Sequence, residues 1–287
     1  MSKTIYITRV FSSEHAAGSL TGVSLNFDRD PQDRNVFQCA ARQLGLPDTG
    51  FLNQSISDVS WTLESYSPVE PMKFCIQTLL SSAAVQKRIA PDISVRSFAT
   101  KMGAYVVEED GFEPNVWWVN AEVPSATVAS EGLVSSLSEL GFSAEVLRNT
   151  AAISGIGRRR IYLKLDSEDE LERISLSARE VNLWCKKNDL TAICLFFVCS
   201  KESIRFRVFT TSLSGEEDVA TGGAALGLLS VDSALGVILS DRVVVNQGRG
   251  DSLFRGEILL KRANDRIPAK IGGLVQILTE GVFFPKS

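Results

Sequence analysis

The sequence predicts an α+β fold made of two similar halves. Three observations predict it. Each half is rich in short stretches of strand-like, largely alternating residues. Each half also carries one central helix of small apolar residues, "FCIQTLLSSAAVQKR" (74–88) and "TGGAALGLLSVDSALG" (221–236). Those two helices start near Cys75 and Thr221, about half the chain apart. A helix that is apolar nearly all round is a buried helix, so each is expected to be wrapped by its own half's strands. The polar, small-residue stretch "EVPSATVASEG" (122–132) reads as a linker and gives domains 1–125 and 126–287. A cleft between two such domains is a favoured place for a ligand.

The elements follow in order. "TIYITRVF" (4–11) and "GVSLNFD" (22–28) read as strands. "DRNVFQCAARQLG" (33–45) places Val36, Phe37, Ala40, Ala41 and Leu44 on one helical face, and Gly45 suits its end. A short strand, "TGFLN", follows Asp48, and "VSWTLESY" (59–66) alternates with Val59, Trp61 and Leu63 on one side. After the first central helix come the strands "GAYVVEE" and "VWWVNAEV". Trp117 and Trp118 point to opposite faces, so one ring is expected in the core and the other exposed or at an interface. In the second half "EGLVSSLSELG" (131–141) reads as an amphipathic helix and "RIYLKLD" (160–166) as a strand resembling "TIYITRV". Two helices, "SEDELERIS" and "AREVNLWCKKN", precede the strands "AICLFFVC" (192–199) and "SIRFRVFT" (203–210). "RVVVNQ", "EILLKR" and "AKIGGLVQILTEG" close the chain as strands and turns.

Composition narrows the function. The chain has 287 residues, 44% hydrophobic and 22% charged, the balance of a globular protein. A net charge of −4 without a long basic run argues against nucleic acid as partner. Arg158, Arg159 and Arg160 form the one basic cluster and read as a solvated edge. No apolar run reaches the roughly 18 residues of a membrane span, and "MSKTIYITRVF" lacks the apolar core of a signal peptide. A cytoplasmic setting without membrane contact is therefore expected. The 5 cysteines, Cys39, Cys75, Cys185, Cys194 and Cys199, are an odd number and fit free thiols. A single histidine, His15, excludes a His-rich zinc site, and no metal is expected. "GIGRRR" (155–160) lacks the third glycine of a nucleotide fingerprint and leads into a strand, and "RGD" (249–251) reads as a turn.

One stretch points to chemistry. In "EEDVATGGAALGLLS" (216–230) acids run into Thr221, Gly222 and Gly223 at a helix start. Two glycines there cost helix stability, so they suggest a close approach to the backbone. A helix start stripped of side chains is a ready anion site. The plainer alternatives are helix capping by Asp218 and close packing of the glycines against a strand.

These features resemble the phenazine-biosynthesis isomerase (PhzF-like) family, of diaminopimelate epimerase-like fold. "EDVATGGAALG" (217–227) resembles the family's Glu-Asp-Pro-Ala-Thr-Gly-Ser-Ala signature. "KFCIQT" (73–78) sits at its Pro-Phe-X-Gly-His, and "LPDTGFL" (46–52) at its Ser-Glu-Thr-X-Phe, with Asp48 at the acid–base glutamate. "VVVNQGRG" (243–250) resembles the family's strand-Gln-Gly segment. The departures are Asp48 for glutamate, Gln77 for histidine, Ile76 for glycine, Gly223 for serine, and Ser19 for the asparagine of a Gly-Asn-Pro loop.

The resemblance implies two domains, each a strongly curved, mostly antiparallel sheet around its central helix, with the active site in the cleft between them. It implies proton movement at carbon without a cofactor, on a small amino-acid-like or unsaturated carboxylic acid, in a specialised biosynthetic pathway. It also implies a homodimer. Asp48 is then the acid–base group, against the plainer reading of a turn aspartate after Pro47. Cys75 sits at the first helix start, where thiolate is favoured, against the plainer reading of a small buried cysteine. Asp218 orients an amino group or holds a water. Gln77, which cannot shuttle a proton at neutral pH, positions substrate with Ser19 and Thr221, while Gly222 and Gly223 offer N–H groups to a carboxylate. Two rivals stay open. One is a racemase or epimerase using Asp48 and Cys75, and the other is a non-catalytic ligand-binding relative.

Overall fold

A computed structural model describes residues 3–25, 35–54, 61–93, 95–123, 125–155, 158–250, 255–262 and 269–284. Sequence-predicted pieces at 26–28, 33–34 and 59–60, Pro124, residues 156–157 and Asp251 lie outside the described residues. The chain forms two compact units, Met1–Asn120 with Gly272–Ser287, and Ala121–Ile271. Residues from Gly272 onward thus group with the first unit, whereas the sequence boundary had assigned them to the second.

The first unit runs β1 (Lys3–Ser12), β2 (Ser19–Leu25), α1 (Val36–Leu44), β3 (Asp48–Gln54), β4 (Trp61–Tyr66), β5 (Pro71–Met72), α2 (Ile76–Ile89), β6 (Arg96–Thr100), β7 (Gly103–Glu109) and β8 (Val116–Ala121). Helix α1 turns Phe37, Ala40 and Ala41 inward, as its periodicity predicts, and stops at Gly45 in the left-handed region. Phe37 stacks on Phe51 at 4.5 Å and meets Tyr66 edge-on, which ties α1 to β3 and β4. Every residue of α2 from Ile76 to Gln86 is buried, including Thr78, Ser81 and Ser82. Buried hydroxyls need partners. Ser81 finds Thr8 at 2.7 Å and Thr78 finds Ser65 at 2.7 Å, so the helix is also tied to β1 and β4 by hydrogen bonds.

The second unit adds β9 (Ala126–Val128), α3 (Glu131–Ser136), β10 (Ala151–Ser154), β11 (Arg160–Lys164), α4 (Glu168–Arg173), α5 (Ala178–Lys187), β12 (Ala192–Ser200), β13 (Ser203–Thr210), β14 (Glu217–Asp218), α6 (Gly222–Ala234), β15 (Arg242–Gly248), β16 (Arg255–Lys261) and β17 (Ala269–Phe283). Strand β17 pairs with β1 and with β8. This closes the first unit's strands, in the order β17-β1-β2-β3-β4-β6-β7-β8, around α2.

The predicted repeat is present in the topology. In the first unit β1–β2 is antiparallel, β2–β3 parallel, β3–β4 antiparallel, β4–β6 parallel and β6–β7 antiparallel. In the second, β10–β11, β11–β12, β12–β13, β13–β15 and β15–β16 repeat that series sense for sense. A two-residue strand, β5 or β14, precedes the central helix in each. Helix α6 packs on β9, β10 and β16. Helices α4 and α5 cover the sheet's other side through Leu171, Val181, Trp184 and Cys185.

Three expectations are corrected. Trp117 and Trp118 are both buried, at 1% and 4% exposure, because Lys87 and Arg96 lie over the Trp117 ring and Gly272 of β17 lies against the Trp118 ring, whose indole N–H donates to Asp110 at 2.9 Å. The helix over 131–141 is α3 followed by a separate 3-10 turn, Leu137–Leu140. The arginine cluster divides. Arg159 is exposed and paired with Asp189, while Arg160 is buried at the start of β11.

Candidate active site

In the first unit the candidates gather where β2, β3 and α2 begin. Asp48 opens β3 and is 7% exposed. It is in register with Thr21 of the parallel neighbour β2, and in a parallel pair matched residues share a face. That face looks toward α2, since a Cβ on Gly50, two residues further, would lie 3.3 Å from Thr78. Asp48 is therefore a buried strand residue rather than a turn cap. Ser19 and Thr21 alternate onto the same side, and their hydroxyls are buried without a partner among the described residues. Thr21 does not stand out in the sequence. Its signal, a threonine two residues from Ser19 in an otherwise ordinary strand, is too weak without the register.

Cys75 caps α2 in an extended conformation. Its thiol touches Asp48 and also lies 3.7 Å from the Gln77 side-chain oxygen. A thiol has one proton, so it donates to one of these acceptors at a time. Burial, and then the Asp48 charge, push Cys75 well above the usual thiol range. The expected thiolate is thus corrected: desolvation and a neighbouring carboxylate outweigh the helix start. Gln77 is itself buried. Asp48, Cys75 and Gln77 are brought together, with Ser19 and Thr21 on the same side of the sheet.

One strand over, Phe11 is buried with φ of 61° at a bulge between β1 and β17. A bulky residue there is strained, and the strain falls next to Val10, the register partner of Ser19.

In the second unit Asp218, Thr221 and Gln247 form one network. The Thr221 hydroxyl donates to Asp218 Oδ2 at 2.6 Å, and the Ala220 N–H donates to Oδ1 at 3.3 Å. The Gln247 amide donates to the Thr221 hydroxyl at 2.9 Å and to the Asp218 carbonyl at 2.8 Å, and accepts the Thr221 N–H at 2.9 Å. Gln247, fully buried on β15, locks the turn before α6. It lies in the quoted "VVVNQGRG", but nothing local to that strand reveals a partner 26 residues away. Thr221 spends its N–H and its hydroxyl proton inside this network and holds the Asp218 carboxyl. Gly222 and Gly223 are the first two residues of α6, where helix N–H groups have no intrahelical partner. At Gly223 the neighbour is a side chain of β11, since a Cβ there would lie 3.3 Å from Arg160 Nη2.

Burial pushes Asp218 up to about 6, against the opposing hydrogen bonds from Thr221 and Ala220. The folded state therefore binds this proton more tightly than the unfolded state. The resulting stability is full below the unfolded carboxylate range and is lost as pH rises through about 6. Asp218→Asn is expected to remove this pH dependence, a difference of about 2 kcal/mol between pH 4 and 7. Urea unfolding of both proteins across that range checks it, and parallel pH profiles would contradict it.

Among the described residues no cluster of His, Cys, Asp and Glu can hold a metal ion, and no helix is long and apolar enough to cross a membrane. All 5 cysteines are free.

Residues 8–257 match the family model for phenazine biosynthesis-like protein. The chain is 27% identical over 225 residues to the trans-2,3-dihydro-3-hydroxyanthranilate isomerase of Pseudomonas aeruginosa, covering 75% of this chain and 74% of that one. Among solved structures, a phenazine biosynthesis protein of the PhzF family from Bacillus anthracis superposes with a TM-score of 0.78 at 13% identity, covering 99% of each chain. A hydroxyproline epimerase from Agrobacterium vitis superposes with a TM-score of 0.65 at 9% identity, covering 98% of this chain and 91% of that one. The chain belongs to the phenazine biosynthesis-like protein family, has the diaminopimelate epimerase-like fold, and is an enzyme of the isomerase class.

Proposed function

We propose that the protein is a cofactor-independent isomerase that moves a carbon-bound proton on a small amino-acid-like or unsaturated carboxylic acid. The observation that carries this reading is the buried contact between Asp48 and Cys75 beside Gln77. Asp48 takes a proton from a carbon next to a carbonyl, carboxylate or double bond and returns it at another carbon. Cys75, held as a neutral thiol, donates a hydrogen bond to the Asp48 carboxylate and so tunes it. Gln77 and Ser19 position the substrate. In the second unit Asp218 is the group for an amino function or a water, and Gly222 and Gly223 offer N–H groups to a carboxylate. The pathway suggested is biosynthetic, by analogy with the Pseudomonas aeruginosa relative.

A racemase using Asp48 and Cys75 is disfavoured by the same contact. Two groups that work on opposite faces of one carbon must stand apart with that carbon between them. Groups in contact act as a single unit on one face. Cys75→Ser keeps a donor to Asp48 and is therefore expected to retain activity within about tenfold. Abolition of activity in that variant, with the fold intact by circular dichroism, would restore the racemase reading.

A further inference from the structure

At the far end of α2 from Asp48, two buried donors stand without acceptors. Trp117 on β8 is 1% exposed, and Arg96 at the start of β6 is 8% exposed. The Trp117 indole N–H and the Arg96 Nε are both buried without a partner among the described residues. The Arg96 guanidinium lies 5.4 Å from the centroid of the Trp117 ring, so the two donors are neighbours. Buried indole and guanidinium N–H groups normally find acceptors, because a bare donor has given up its bond to water. The next residue obeys that rule, since Trp118 donates to Asp110 at 2.9 Å.

The same place is short of negative charge. Lys87 of α2 also lies over the Trp117 ring, 5.9 Å from its centroid. Its ammonium donates to both oxygens of Glu109, at 2.7 and 2.6 Å. Glu109 is also the carboxylate whose charge Arg96 feels. Two cations therefore share one carboxylate, and among the described residues Arg96 has no ion pair of its own. A cavity of about 520 Å³ opens beside them, the size of a small-molecule site. Its wall takes Trp117 from β8, Ala84 and Lys87 from α2, and Val275, Ile277 and Leu278 from β17. The β1–β17 pairing is bulged there. Ile7 faces Thr279 and Thr8 faces Ile277, which leaves Leu278 as the extra residue. Bulges recur at barrel rims and beside sites, where they re-aim a side chain. Lys87 stands about 18 Å along the helix from Cys75, so this cavity is separate from the Asp48 cluster.

We propose that this cavity is a second ligand site, for an organic anion that carries a carboxylate or phosphate on an apolar body. Guanidinium takes either oxyanion through paired N–H donors, and the indole N–H adds another. No described protein group uses the Arg96 Nε or the indole N–H, so an oxyanion gains these bonds without breaking existing ones. Ala84, Val275, Ile277 and Leu278 cover the apolar body. The site goes beyond the isomerase reading and does not rest on it.

The test titrates the 15N-labelled full chain with benzoate and with phenyl phosphate, chloride being exchanged to hold ionic strength constant. Benzamide is the neutral counterpart. The Trp117 indole N–H signal, assigned by its loss in Trp117→Phe, is expected to shift saturably with at least one anion and not with benzamide. The anion that saturates at lower concentration identifies the preferred oxyanion. Arg96→Met is expected to weaken that anion about tenfold or more, and Arg96→Lys less. Ala84→Leu keeps both donors and fills the cavity. It is also expected to weaken binding, and it serves if Arg96→Met does not fold. Asp48→Asn is expected to leave the shifts intact, so failure of this site and failure of proton transfer read out separately. A Trp117 signal that neither anion shifts saturably, that benzamide shifts alike, or that responds undiminished in the folded variants would overturn the proposal.

Discussion

Asp48→Asn is expected to stop hydrogen exchange at substrate carbon, with the rate falling by about 10²–10⁴. An amide has the same shape as the carboxyl but cannot take up the proton. Asp48 is 7% exposed at the start of β3, and its replacement leaves the strand pairing with Thr21 in place. Melting temperature should therefore move little while activity disappears. Asp48→Glu keeps the carboxylate but drives it one methylene further toward Cys75, so partial activity is expected. Mass-spectrometric label measurements on the three proteins check the series. Undiminished exchange in Asp48→Asn would move the proton-transfer role elsewhere.

Arg207→Met is expected to destabilise the second unit by about 3–5 kcal/mol. Arg207 is 1% exposed and binds Glu217 through both carboxylate oxygens, at 2.8 and 2.7 Å. Its Nη1 also donates to the carbonyls of Leu171 and Ile174 at 2.6 and 2.7 Å. One side chain thus ties the end of α4 to β14, the two-residue strand that ends in Asp218. Without it Glu217 keeps an unpaired charge next to Asp218, and two carbonyls lose their donor. The like charge then raises Asp218 above about 6. Urea unfolding measures the first effect, and carbon NMR of the Asp218 carboxyl the second. The double variant Arg207→Met with Glu217→Met replaces the pair by apolar groups and is expected to recover part of the loss. A single variant as stable as wild type, with Asp218 titrating unchanged, would show that the pair does not support β14.

Much of this architecture is legible in the sequence because its strongest signals are local. The two central helices stand out by their small apolar residues, and α2 proves buried from Ile76 to Gln86. The "EDVATGG" run marks a helix start by itself. What stays hidden depends on distant partners. Alternation puts Trp117 and Trp118 on opposite faces, but the sequence does not say that both faces are covered, and β17 covers one of them from far along the chain. Arg160 looks like part of an exposed basic triplet until β11 pairs with β12 and α6 packs beside it. Gln247 acquires its partners only when β15 lies alongside β13. The Cys75 thiol reads as activated from its place at a helix start, because the desolvation and the Asp48 contact that oppose activation are tertiary.

The most direct measurement is solvent deuterium uptake at carbon. The protein in D₂O is offered trans-2,3-dihydro-3-hydroxyanthranilate, the compound in the name of the Pseudomonas aeruginosa relative, with α-amino acids and unsaturated amino acid-like carboxylates. Label that appears at carbon with wild type and vanishes with Asp48→Asn is the predicted result. Labelling or conversion of any of these compounds that Asp48→Asn leaves unchanged would contradict acid–base proton transfer by Asp48.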